Sequence, residues 1–141
     1  MYRHILVPVD LNEASSWQKA LPQAIELAQT HGSELHVLNV VPDFGMSVVG
    51  SFFPGDFGKK AAAEAEAALS KLVAEIIPGG IRANPIVVSG NVYQEIMSTA
   101  DRIGADLIVM AAHRPELKDY LLGPNAARVV RHADQSVLIV R

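Results

Sequence analysis

The chain has 141 residues, of which 50% are hydrophobic, 19% charged and 6% aromatic, so it is long enough for one domain with an aliphatic core. Its net charge of −3 argues against a generic nucleic-acid binder, and the lack of cysteine excludes disulfides, thiolate metal sites and iron–sulfur clusters. The amino terminus carries an apolar run too short for a signal-peptide core or a membrane span, so we expect a cytoplasmic protein that does not contact membranes.

Short apolar runs alternate with helical patterns along the chain. Residues 3 to 9 (RHILVPV) are almost continuously apolar, as in a strand buried on both faces. The next pattern has helical spacing from Ala14 to His31, and Pro22 inside it predicts either a kink or a later start. A second strand follows from Leu35 to Val41 (LHVLNVV). The first third of the chain therefore predicts a strand, a helix and a strand.

The segment from Pro42 to Gly58 has no steady period and is rich in glycine, proline and phenylalanine. Loops of this length are uncommon inside compact domains and are often binding loops. We expect it to be mobile without a ligand and partly ordered over a ligand bound beside it.

The remaining elements continue the alternation. Lys59–Ile77 predicts a helix, and Ala83–Val88 predicts a strand whose Pro85 favours an edge position. Asn91 resembles a cap that opens a third helix ending near Ile103. The last predicted segments are a strand at 106–112, a polar connection at 113–122, a helix at 123–132 and a strand at 136–140.

Five strands joined by crossover helices define an α/β fold. We predict one domain over residues 1–141, a doubly wound (Rossmann-like) parallel sheet of order 3-2-1-4-5 with helices on both faces. In such sheets ligands bind at the carboxyl ends of the strands beside the point where the strand order reverses. Here the end of the first strand carries Pro8, Val9 and Asp10, and the end of the fourth carries Ala111.

The polar residues at these ends are candidates for ligand contacts. The Asp10 carboxylate can accept hydrogen bonds from ribose hydroxyls or hold a divalent ion, whereas its alternative role is that of a turn former or helix cap. Arg114 can bind phosphate oxygens and His113 can donate a further hydrogen bond, although both are also typical of a solvated turn.

The start of the last helix, Gly123-Pro124-Asn125-Ala126, can attract an anion, although proline is also common at ordinary helix starts. A basic set surrounds this region and favours a phosphate group: Arg114, Lys118, Arg128, Arg131 and His132. The histidines at positions 4, 31, 36 and 132 have no metal-ligand spacing in the sequence, so we interpret them as structural or solvated and predict no metal site among them.

Several signatures of catalysis are missing from the sequence. It has neither a GxxxxGK[ST] loop nor a GxGxxG fingerprint, and it has no GxSxG elbow. A phosphate-accepting receiver domain would need an aspartate where Ser89 and Gly90 end the third strand. No residue stands out as a base or nucleophile, so a fast enzyme is not the leading interpretation.

The whole chain resembles the universal stress protein family, and most of all its small bacterial F/G branch. The segments that carry this resemblance are YRHILVPVD, LHVLNVVP, VVSGNVYQEI, ADLIVMAAHRP and LLGPNAARVVRHADQSVLIVR. The resemblance implies a homodimer and, in many members, ATP held between the ends of the first and fourth strands. It also implies that Asp10 meets the ribose and that the backbone of Val40 meets the adenine.

The family's phosphate pattern, Gly-x-x-Gly-x9-Gly-Ser/Thr, is only partly kept. Its glycines fall at Ala111, Arg114 and Gly123, with a spacer one residue shorter before the third, and its hydroxyl residue falls at Pro124. Arg114 and the Asn125 side chain are the candidate substitutes for the missing donors.

The leading interpretation is a dimeric stress-response sensor or interaction module that binds ATP, with or without a divalent metal ion. Slow ATP hydrolysis or autophosphorylation is compatible with it. One alternative is a dimeric stress protein that binds no nucleotide and acts through protein partners, and a more distant one is a flavin or another phosphate-bearing ligand in the same crevice. The apolar last strand, SVLIV, lies at an edge of the predicted sheet, so we expect the dimer to form there.

Overall fold

A computed structural model describes residues 1–42, 57–112 and 123–141, with the side chains of residues 57, 123 and 124 left out. The five strands are β1 (His4–Pro8), β2 (Glu34–Pro42), β3 (Ala83–Gly90), β4 (Leu107–Ala111) and β5 (Ser136–Val140). The helices are α1 (Ala20–His31), α2 (Phe57–Ile76), α3 (Val92–Ile103) and α4 (Gly123–His132). All strand pairs are parallel and the order is β3-β2-β1-β4-β5, which confirms the predicted topology.

The sheet is covered on both faces, which explains the continuous apolar run in β1. Ile5 and Val7 belong to a core cluster packed under α1 and α2, while Leu6 belongs to a second cluster under α3 and α4. All three side chains are fully buried. A strand buried on both faces cannot alternate apolar with polar residues, so its sequence reads as one hydrophobic stretch.

The first helix begins later than its sequence pattern, at Ala20 and not at Ala14. Residues Ala14–Ser16 form a separate short 3-10 turn. Pro22 is therefore the third residue of α1, where the amide that it lacks would have no partner within the helix. The prediction of a later start is confirmed, and the helix ends at Gly32 in the left-handed conformation (φ 67°).

The predictions for the second half of the chain differ from the structure by one or two residues at some element ends. Pro85 lies on β3, an edge strand, where its missing donor can face away from the ladder. The Asn91 side chain accepts a hydrogen bond from the amide of Gln94 and so caps α3.

The predicted loop from Pro42 to Gly58 is shorter, because Pro42 ends β2 and α2 begins at Phe57. Its remaining residues, 43–56, lie outside the described part of the chain, so the expectation of ordering over a ligand stays a prediction.

Candidate functional site

A cleft of about 330 Å³ lies at the carboxyl edge of the sheet, between the ends of β1 and β2 and the first half of α2. The strand ends contribute both polar and apolar residues to its lining, and the helix contributes three alanines and one glutamate. It is lined by Asp10, Leu11, Asn12, Asn39, Val40, Val41, Pro42, Ala61, Glu64, Ala65 and Ala68. Two predicted site residues on different strands, Asp10 and Val40, thus share one cleft.

The turn after β1 holds Asp10 in a fixed position. Its side chain is 5% exposed, and one carboxylate oxygen, Oδ1, accepts a hydrogen bond from the amide of Asn12 at 3.0 Å. The amide of Asp10 donates to the hydroxyl oxygen of Ser16 at 2.8 Å, and that hydroxyl donates to the carbonyl of Glu13 at 2.7 Å. The structure thus shows that Asp10 shapes the turn and borders the cleft, while its contact with a ribose or a divalent ion stays a prediction.

The floor of the cleft contains a residue that the sequence interpretation missed. Asn39 is buried, and its side-chain amide donates to the carbonyl of Val9 at 3.2 Å. One step earlier, the amide of Val9 donates to the carbonyl of Leu38 at 2.8 Å. The Val9 carbonyl would be the next acceptor in the β1–β2 ladder, so Asn39 takes the place of a backbone donor where the strands separate. Its only sequence signal is one amide inside the apolar run LHVLNVV.

The backbone of Val40 is directed toward the gap beyond β1. The Leu38 carbonyl points to β1, and in a parallel ladder residues two apart point their peptide groups the same way. Since β1 ends at Pro8, opposite Leu38, the peptide groups of Val40 face the region where β1 has stopped. The Val40 side chain is buried in the second core cluster. Any contact from Val40 to a ligand would therefore come from its backbone, as the family resemblance implies.

The charge of the cleft suits an uncharged or hydroxyl-bearing group. Among the described residues that line it, the charged ones are Asp10 and Glu64, and both are acidic. A phosphate would be repelled there, so the positive groups for a phosphate must come from elsewhere.

The other predicted site residues lie near the ends of β1 and β4 and at the start of α4. Val9 and Ala111 are buried in the same core cluster, and the amide of Ala112 donates to the carbonyl of Val140 at 2.7 Å. Ala126 is buried in the second cluster, so its side chain serves the core. Pro8 is the last residue of β1, and Gly123 and Pro124 form the first turn of α4, followed by the half-buried Asn125. His113, Arg114 and Lys118 lie outside the described residues.

The described members of the predicted basic set occupy a separate depression of about 420 Å³. It is lined by Tyr93, Ala127, Arg128, Arg131 and His132, and it shares no residue with the cleft beside Asp10. The Arg128 guanidinium carbon lies 5.9 Å from the centre of the Tyr93 ring, and the His132 ring centre lies 6.0 Å from it. Arg128 and His132 pack against Tyr93 on α3, and none of the described members of this set lines the cleft.

The histidines make contacts that the sequence interpretation did not identify. His31 packs edge-on against Tyr2, with the ring centres 5.4 Å apart. His4 and His36, on neighbouring strands, lie with His4 Nδ1 and His36 Nε2 only 3.1 Å apart. Their sequence separation of 32 residues concealed this contact, because it depends on strand register.

The fold and the cleft together define a doubly wound α/β domain with a ligand-sized opening at its strand ends. The family model for the universal stress protein family matches residues 1–141, and the chain belongs to this family. Universal stress protein G of Shigella flexneri is 35% identical over 144 aligned residues, which cover all of both chains.

Solved structures show the same fold. The structure of MJ0577, a universal stress protein of Methanocaldococcus jannaschii, is 26% identical with a TM-score of 0.74, covering 99% of this chain and 96% of that one. A universal stress protein from Archaeoglobus fulgidus, solved in complex with dAMP, is 20% identical with a TM-score of 0.66 and covers 99% and 98% of the two chains. Within the described residues, no helix has the length and apolar character needed to cross a bilayer.

Proposed function

We propose that this chain binds an adenine nucleotide, with ATP as the leading candidate, and acts as a stress-response sensor or interaction module. The observation that carries the proposal is the shared cleft, where the buried Asp10 carboxylate borders the gap toward which the Val40 peptide groups point. A carboxylate accepts hydrogen bonds from ribose hydroxyls, and one peptide unit offers both a donor and an acceptor to the edge of adenine. The fold of this chain is also that of a protein solved with dAMP.

The proposal divides the nucleotide between two parts of the site. The acidic cleft takes the nucleoside, and the phosphates extend toward the start of α4. There the positive end of the helix dipole and the predicted Arg114 contact would supply positive potential. A divalent ion bound with the phosphates is compatible with this arrangement, since it would reduce their repulsion from Asp10.

A second candidate function is a stress protein that binds no nucleotide and acts through protein partners. It is favoured by the departures from the family's phosphate pattern at Ala111, Arg114 and Pro124. Pro124 has no amide proton and no hydroxyl, so that position offers no donor to a phosphate.

Two measurements separate these candidates. Native mass spectrometry of the purified protein reveals a ligand that co-purifies, including a flavin if that more distant alternative holds. Calorimetric titration of ATP then gives the affinity of ligand-free protein. We expect saturable binding of one ATP per chain, and no heat of binding at millimolar ATP would favour the nucleotide-free candidate.

We further propose that the protein is a cytoplasmic homodimer paired through β5. This strand has only β4 as a neighbour in the described sheet, and its residues Val137, Leu138 and Ile139 are half-buried. An apolar edge strand is a template for pairing with a second copy.

A further inference from the structure

Three side chains that bear metal ligands meet at the amino edge of the sheet, the end opposite the cleft. His4 pairs in register with Glu34, and Leu6 pairs with His36, so these side chains lie on one face of two neighbouring strands. His4 Nδ1 is 3.1 Å from His36 Nε2 and 3.4 Å from Glu34 Oε2. One ligand atom from each residue lies within 4.8 Å of the others.

The two separations from His4 Nδ1 are close to those of a tetrahedral zinc site. Zinc binds imidazole nitrogen and carboxylate oxygen at about 2.0 to 2.2 Å, so two ligand atoms at the tetrahedral angle are about 3.3 to 3.6 Å apart. The two distances from His4 Nδ1 need to change by only a few tenths of an ångström to meet this requirement.

Neighbouring groups already orient two of the three residues. The Asn84 side-chain amide donates to Glu34 Oε1 at 2.7 Å, while the other oxygen, Oε2, is turned toward His4. The Asp106 carboxylate accepts hydrogen bonds from the amides of Arg3 at 2.9 Å and His4 at 3.2 Å, and so fixes the start of β1. The Asn84 contact is of the kind that orients metal ligands in proteins, whereas Asp106 fixes only the backbone of His4.

The charge states also suit a metal ion. Burial lowers the pKa of His36, against the opposing effect of the Glu34 carboxylate, so the imidazole keeps its lone pair at neutral pH. The hydrogen bond from the Asn84 amide is the main cause that lowers the pKa of Glu34.

We propose that His4, Glu34 and His36 form a site for one Zn²⁺ ion, with the fourth position open to water. Two imidazoles and a carboxylate are a ligand set that zinc accepts with an open position. The ion can enter from solvent, because the side chains of His4 and Glu34 are 37% and 26% exposed. This site would tie the start of β1 to the start of β2, and it is independent of the proposed nucleotide.

The test is calorimetric titration of zinc into the untagged full chain after treatment with a chelator. We expect one zinc ion per chain and a higher unfolding temperature with zinc, since a ligand that binds only the folded state stabilises it. Asn84→Ala removes the hydrogen bond to Glu34 and should weaken zinc binding about 10- to 100-fold. His4→Gln and Glu34→Gln each remove a ligand of the ion and should weaken binding more.

The visible absorption of bound Co²⁺ is a second measurement, which would not depend on His4 if that residue only supported the fold. Co²⁺ in the same site should give the intense visible absorption of a four-coordinate ion, and His4→Gln should abolish it. The matched control is His132→Gln, an exposed histidine on α4, which should leave both signals unchanged.

Three results would overturn the proposal. These are no zinc binding by the wild type at micromolar zinc, equal affinities in wild type and His4→Gln, or a loss in His132→Gln as large as that in His4→Gln. The first would mean that His4 and His36 form only a hydrogen bond between neighbouring strands. The test variants replace partly exposed side chains, so we expect them to fold. Circular dichroism detects any folding defect separately from the loss of zinc binding.

Discussion

The carboxylate of Asp10 supports the turn after β1 and borders the cleft, and substitutions can separate its effect on the turn from its proposed contact with the ribose. Asp10→Asn keeps an oxygen that can accept from the amide of Asn12, so the turn should survive, whereas Asp10→Ala removes that acceptor as well. Hydrogen bonds to a charged group contribute about 1.5 to 3 kcal/mol each. A loss in this range corresponds to roughly tenfold weaker binding or more.

We therefore predict that Asp10→Asn weakens ATP and AMP to similar degrees with little change in stability. Asp10→Ala should weaken both nucleotides and also lower the unfolding temperature. Calorimetry with both nucleotides and a thermal melt measure this. Unchanged ATP affinity in Asp10→Asn would show that the carboxylate does not contact the ribose.

Arg114 is predicted to act on the phosphates and not on the nucleoside. Arg114→Ala should weaken ATP about tenfold or more, because a charge-assisted contact of about 1.5 to 3 kcal/mol is lost. AMP lacks the outer phosphates, so it should lose less affinity. Equal losses for ATP and AMP would contradict this assignment, and Lys71→Ala, which removes an exposed positive charge on α2, serves as the control.

At the scale of the elements, the small residues on α2 keep the cleft open. Ala61, Ala65 and Ala68 lie four and three residues apart, so they share one face of the helix, and all three line the cleft. Larger side chains at these positions would fill the space beside Asp10.

We predict that Ala65→Leu weakens nucleotide binding at least about tenfold while the unfolding temperature stays close to that of the wild type. Leucine is nearly as good a helix former as alanine, so the helix itself should tolerate the change. Ala67→Leu, on the exposed side of the same helix, is the matched control and should bind normally. Full affinity in Ala65→Leu would place the nucleotide outside this cleft.

The elements also show what could be predicted from sequence. The inner strands β1, β2 and β4 could be predicted because both of their faces are buried. The start of α3 could be predicted because Asn91 caps it through a local hydrogen bond. The separate turn at Ala14–Ser16 was not predicted, because the helical spacing continues through it.

Side-chain contacts between residues far apart in the sequence could not be predicted. The bond from Asn39 to Val9 and the approach of His4 to His36 each depend on the β1–β2 register, which no local pattern encodes. Strand topology predicted Asp10 at this edge, whereas Val40 was implied by the family resemblance, and the structure shows that both residues line one cleft.

At the scale of the whole molecule, the direction of the peptide groups in β5 decides how a dimer can be tested. The Val140 carbonyl accepts from the amide of Ala112 in the segment after β4, so Val140 and Leu138 point their peptide groups toward β4. Val137 and Ile139 point theirs outward, to the open edge where a second chain would pair.

We predict that Ile139→Pro converts the protein to a monomer with its sheet retained, because it removes an outward donor. Leu138→Pro should instead destabilise the domain itself, since that amide belongs to the β4–β5 ladder. Sedimentation velocity at micromolar protein gives the oligomeric state, and circular dichroism reports on the fold. A wild-type protein that sediments as a monomer would refute pairing through β5.

The difference in length between β1 and β2 has a consequence for mutagenesis. Because β2 continues to Pro42 after β1 has ended at Pro8, the cleft is bordered by main chain that every residue type possesses. An alanine scan would leave the peptide groups at position 40 in place, and so would pass over a contact made by them. Exchange of the Val40 amide for an ester, by replacing valine with its α-hydroxy analogue, would instead remove a single backbone donor and leave the side chain in the core.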